Sequence, residues 1–223
     1  MNPANGYAPF LASLSVYSDV RGTYLEQSVA ASGRQLVDFC KEVIGVSSIG
    51  QGSSLNAALA SEEEETYQRG SSGAREWMQS MLDMAENELA ILTNLLRGLQ
   101  PPSSSNTISS TFARMLKPML RHFHLTMAAA HGHIRQHIST HTLFALDLIA
   151  VLTQFQSRWD SVVVRGSSRN PGDGEADMDN GSVQTLSEHL QSLRSTMINV
   201  FPTLLNDLQA IPRMRSGEVP SSE

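Results

Sequence analysis

Between Phe112 and Trp159 apolar residues recur every three or four positions. On a helix turning 100° per residue, Leu116, Leu120, Phe123, Met127, Ala130, Ile134 and Ile138 fall on one narrow face, and Ala145, Leu148 and Leu152 continue it. The pattern holds for about 35 residues. A helix that long does not bury its own stripe, so partner helices are required. The residues from Ser139 to Thr142 interrupt the pattern, and either Thr there can cap a new helix starting near Leu143. The stretch therefore predicts two antiparallel or bent helices. Pro118 lacks an amide donor and belongs either in a first turn or at a kink.

Three further segments have the same period. From Pro9 to Ile44, Phe10, Leu14, Tyr17, Tyr24, Phe39 and Val43 share a broad face, with Pro9 suited to a helix start and Gly45 to a stop. Gly22 and Gly33 each cost about 1 kcal/mol against Ala inside a helix. They are tolerable where a neighbouring helix crosses closely, and Gly22 is the candidate break. From Ala74 to Leu99 the periodic residues are Trp77, Met81, Met84, Leu89, Leu92, Leu95 and Leu96, ended by Gly98 and Pro101-Pro102. From Val183 to Ile211 they are Leu186, Leu190, Leu193, Met197, Val200, Leu204 and Leu208; Pro202 should kink or split this helix and Pro212 should stop it.

The intervening segments are polar. Residues 45–73 are rich in Gly and Ser and read as a flexible loop, with at most a short helical turn after the Ser61/Glu64 capping pair. Residues 100–110 read as a linker, 166–181 as a flexible acidic linker and 214–223 as a disordered tail. No stretch alternates with period two, so strands are not expected. The prediction is an all-α fold of five or six stacked helices. Residues 1–165 form an N-terminal section, and 182–213 supply a further helix.

Composition narrows the function. The 223-residue chain has 40% hydrophobic and 17% charged residues, which is globular, and a net charge of −6, which disfavours nucleic-acid binding. No apolar run approaches the roughly 18 to 20 residues of a membrane span. The N-terminus, MNPANGYAPF, has neither the basic start nor the apolar core of a signal peptide. One cysteine, Cys40, excludes an internal disulfide, and these features together lead us to expect a cytoplasmic protein.

The candidates for chemistry are few. Six of the seven histidines lie in the central stretch, and His133, His137 and His141 have the i, i+4, i+8 spacing that can chelate a transition metal such as zinc. With His122, His124 and His131, however, they scatter over both flanks of the apolar stripe. There is no H-E-x-x-H and no acidic residue between Leu116 and Leu146. Boundary or solvated histidines are the preferred account, with a metal-binding histidine-rich bundle as the alternative. The segment FARMLKPMLR sets Arg114, Lys117 and Arg121 beside an apolar face, the form of a helix that docks on a partner or an anionic membrane; an ordinary core-facing helix with basic flanks is preferred over this adaptor reading. Cys40 reads as a small buried residue. No phosphate loop, nucleophile elbow or nucleophile–base pair occurs, so no catalytic residue, cofactor or small-molecule substrate is expected.

Four segments, taken in order, resemble one family. PFLASLSVYSDVRGTYLEQSV (Pro9 to Val29), YQRGSSGAREWMQSMLDMAENELAILTNLL (Tyr67 to Leu96), HIRQHISTHTLFALDLIAVLTQFQSRWDS (His133 to Ser161) and the last helix with its IPRMRSGEVP tail are similar to the seventy-kilodalton subunit of the exocyst vesicle-tethering complex, especially its fungal members. The resemblance implies an elongated rod of stacked antiparallel helices. It implies a non-enzymatic role in tethering secretory vesicles to the plasma membrane, with other exocyst subunits and Rho-family GTPases as partners. It also implies a cytoplasmic protein recruited peripherally to the plasma membrane at sites of polarised growth such as the bud, bud neck or hyphal tip. Family members bind phosphatidylinositol 4,5-bisphosphate through a basic C-terminal surface. The chain is expected to be a middle section without that surface or the family's N-terminal coiled coil, so no phosphoinositide-binding residue is assigned to it.

Overall fold

The computed structural model describes residues 4–46, 56–99, 104–164 and 186–215. Among these the chain is helical except at His137: α1 (Ala4–Val46), α2 (Asn56–Leu99), α3 (Ser104–Gln136), α4 (Ile138–Trp159), a π-helical turn (Asp160–Val164) and α5 (Leu186–Arg215). At 1.5 Å per residue, the 43 residues of α1 and 44 of α2 each span about 65 Å, so the bundle is elongated.

Contacts between helices fix their directions. Arg21 of α1 meets Glu88 of α2, while Gly33, further along α1, lies beside Trp77, nearer the start of α2. The two helices are therefore antiparallel. Asp19 holds Arg114 and Gly33 faces His122 and Thr126, so α3 runs parallel to α1. Trp159 at the end of α4 reaches Phe123 in α3 at 4.7 Å between ring centroids, which requires α4 to fold back along α3. Gln156 with Ser187, and Thr153 with Arg194, set α5 antiparallel to α4. The order is up, down, up, down, up.

The apolar stripe read in the sequence is the centre of the core. Leu116, Phe123, Met127, Ala130, Ile134, Ala145, Leu148 and Leu152 are all fully or almost fully buried. Phe123 lies between Trp77 of α2, at 5.5 Å, and Trp159, with the edge of His189 from α5 at 5.6 Å. Four helices thus meet at one ring, where aromatic burial is concentrated.

Gly22 does not break α1. A Cβ at that position would sit 2.8 Å from the Met115 carbonyl oxygen and 3.3 Å from Pro118 Cγ, so the glycine is where α1 crosses the backbone of α3. Pro118 falls in the interior of α3, not in its first turn. The break in the central stretch comes slightly before Ser139, at His137 (φ −126°, ψ 40°). His137 still donates its amide to the His133 carbonyl, and His141 to that of His137, so the turn is made with few backbone groups released.

Helix extends further than the polar composition suggests. The loop expected over 45–73 is helical from Asn56, because Ala57 to Ala60 and Glu62 to Glu65 are strong helix formers. Extending an existing helix through Gly70 to Gly73 costs less than nucleating a new one. Likewise α3 starts at Ser104, within the expected linker 100–110, and α5 passes Pro202 and Pro212 to end at Arg215. A proline deletes one helical hydrogen bond without obliging the helix to end. The acidic linker 166–181 and most of the 214–223 tail lie outside the described residues.

Candidate interaction surfaces

The histidine ladder does not assemble a metal site. Among the described residues no three of His, Cys, Asp and Glu are placed to hold an ion. His133 and His137 are half-buried at the α3–α4 turn. His141 is fully buried, not at a solvated boundary as expected, and its Nε2 donates to the Cys40 carbonyl at 2.8 Å. It clasps the start of α4 to the end of α1. Cys40 is buried, as its size and neighbours suggest.

The segment FARMLKPMLR has no free apolar face. Phe112, Met115, Leu116, Met119 and Leu120 all point into the core. Arg114 is bonded in two places to the Asp19 carboxylate, at 2.8 Å each. This helix is a packing element with a basic flank, and the adaptor reading built on it is set aside.

Ion pairs instead tie the long helices together. Arg21 binds Glu88, which is only 3% exposed, and stacks over the Tyr24 ring at 4.8 Å. The Tyr17 phenol beside them is pushed up in pKa, first by burial and then by the Glu88 charge. Arg158 at the end of α4 bridges Asp83 and Glu86 on α2, and its hydrogen bonds hold both carboxyls below their usual range.

The contact between α3 and α5 is of another kind. His124 Nδ1 and His189 Nε2 face each other at 3.2 Å, and His131 Nε2 lies 2.8 Å from Thr196 Oγ1. His189 is buried and its pKa is pushed down to about 4, mainly by desolvation, then by His124 and His131. It lies in the last helix, away from the cluster, and only the fold brings it to α3. No local signal in the sequence could have found it.

Apolar stripes lie on the outside of the described helices. On α1, Val16, Val20 and Tyr24 recur every fourth residue opposite the core face, with Val20 63% exposed; Ile91 and Leu95 are exposed on α2. On α5, Ile198, Phe201 and Leu205 follow the i, i+3, i+7 spacing of a helix-packing seam, with Ile198 66% exposed. A groove between α4 and α5, lined by Gln156, Leu190, Arg194 and Ile198, adjoins this stripe. Such surfaces have the spacing of faces that pack against other helices. Among the described residues no helix is long and apolar enough to cross a membrane.

Comparison with known proteins is in accord. Residues 71–221, well over half of the chain, match the family model for the C-terminal region of Exo70, an exocyst complex component. The match takes in most of α2 and all of α3 to α5, while the Pro9 to Val29 segment lies outside it. No curated protein matches the chain, and no solved structure does. The helical stack and the extent of the family match lead to one conclusion: the chain belongs to the Exo70 family of exocyst subunits.

Proposed function

We propose that this chain is a non-enzymatic scaffold of the exocyst that helps tether secretory vesicles to the plasma membrane. The observation that carries the proposal is the family match over residues 71–221. The outward apolar stripes on α1, α2 and α5 support it, because neighbouring subunits built from amphipathic helices would dock on such faces. Rho-family GTPases are further partners in this proposal. Phosphoinositides are proposed as membrane partners, with no residue of this chain assigned to them. The protein would be cytoplasmic and recruited peripherally to the plasma membrane at polarised sites such as a bud, bud neck or hyphal tip.

The test is affinity purification of the tagged full-length protein, followed by identification of what comes with it. Other exocyst subunits should be recovered, and a Val20→Asp/Tyr24→Asp variant should lose some of them while keeping its helical circular dichroism. Recovery of no exocyst subunit would overturn the proposal.

A further inference from the structure

We propose that the contact between α3 and α5 is an acid-sensitive latch, in which proton uptake by His189 and His131 loosens α5 from α3 and α4. His189 is buried, which disfavours a charged ring, and the hydrogen bonds there have room for few added protons. With His124 Nδ1 and His189 Nε2 at 3.2 Å, one nitrogen donates and the other accepts. A proton on both would set two N–H groups against each other. The Thr196 hydroxyl donates to the Ser192 carbonyl at 3.0 Å, so its oxygen accepts from His131 Nε2 at 2.8 Å. That leaves His131 Nδ1 to accept from the Ser192 hydroxyl at 3.4 Å, and a proton on Nδ1 removes the acceptor.

The surroundings offer a new charge on His189 little relief. From α3 the groups around His189 are His124 and His131, with the cation Arg135 beside His131. From α2 and α4 come the uncharged rings of Trp77 and Trp159, packed on the Phe123 ring that meets His189. On α5 itself Arg194 is bonded to Thr153, and Glu188 lines an outer groove with His131 and Arg135. Neither His131 nor His189 has its pKa raised by a carboxylate; burial lowers both. On the other side of α3, His122 differs, because Glu26 of α1 partly offsets its burial.

The sign follows from proton counting. His189 binds its proton at about 4 when docked and near 6.5 when released, so the released form binds more protons below 6.5. Docking is at full strength above pH 6.5 and weakens as the pH falls toward 4. At pH 5.5 this one group favours release about tenfold, and about 300-fold at the acid limit. Because α5 carries the Ile198, Phe201 and Leu205 stripe, the latch would also govern how that face is presented. The latch does not depend on which partner binds there.

Hydrogen exchange of the full chain tests this, with amide opening of Leu190 to Met197 compared at pH 7.5 and 5.5 after correction for intrinsic rates. Opening in α5 should rise about tenfold on acidification, with a smaller change along α1. The His189→Phe variant, which fills the site with an uncharged ring, should flatten the rise. An unchanged rise in that variant, or none in the natural chain, overturns the proposal. Should the variant fail to fold, NMR titration of the natural chain's imidazoles decides: His189 still neutral at pH 5.5 supports the latch, and ordinary titration near 6.5 overturns it.

Discussion

Helix α3 has α1 on one side and α5 on the other, and it holds them by different means. Toward α1 the backbones come close at Gly22, apolar side chains fill much of the contact, His122 and Thr126 face Gly33, and Asp19 and Arg114 pair at the solvent edge. Toward α5 the contact includes three imidazoles and two hydroxyls, His124, His131, His189, Ser192 and Thr196, each hydrogen-bonded across the helices. The first contact depends mainly on shape, with His122 beside Gly33 as its one partly buried imidazole among the described residues. The second depends on protonation state. A helical rod can thus have permanent and conditional joints within one bundle.

Removing the ring shared by both sides should have the largest effect. Phe123→Ala would leave a cavity between Trp77 and Trp159 and free the edge of His189. A loss of about 3–5 kcal/mol in denaturant unfolding is expected. A loss below about 1 kcal/mol would mean the three-ring stack is not the centre of the core.

The next test sets one substitution against itself at two places on the bundle. Gly22→Ala puts a Cβ 2.8 Å from the Met115 carbonyl oxygen, so helices must shift, and about 1–3 kcal/mol should be lost. Gly132→Ala meets nothing within 4 Å and should gain up to about 1 kcal/mol from helix propensity. Melting temperatures of the two variants moving in the same direction would contradict the close crossing at Gly22.

The smallest effect is expected at the α2–α4 ion pairs. Asp83 and Glu86 are nearly half exposed, so Arg158→Ala should cost less than about 1 kcal/mol at neutral pH. Both carboxyls have depressed pKa values, so their contribution is present above the ordinary carboxylate pKa of about 4 and is lost as the pH falls below it. This acid loss should disappear in the variant, whereas the change between pH 6.5 and 4 at α5 should persist. Chemical unfolding at a series of pH values separates the two.

The all-α architecture was legible because a period of 3.6 residues is a local property. Leu116, Phe123, Ile134 and Leu148 announce a buried face wherever their partners lie. The site was less legible. The i, i+4, i+8 histidines read as boundary or solvated residues, with chelation as the alternative, yet His141 turned inward to the Cys40 carbonyl, and the histidine that matters most, His189, was not singled out. Composition also misjudged Asn56 to Gly73 as a loop, since Gly and Ser lower helix propensity without forbidding a helix already started upstream.

By itself the sequence determined the helical period and most of the buried face of the central stretch, and it located the turn there to within a few residues. Those properties depend on residues within a few turns of one another. Only the tertiary structure decided that Gly22 is a crossing and not a hinge, that Glu88 is buried against Arg21, and that His189 meets His124. These pairs come from different helices, and what brings them together is the packing of whole apolar faces, which no local pattern encodes.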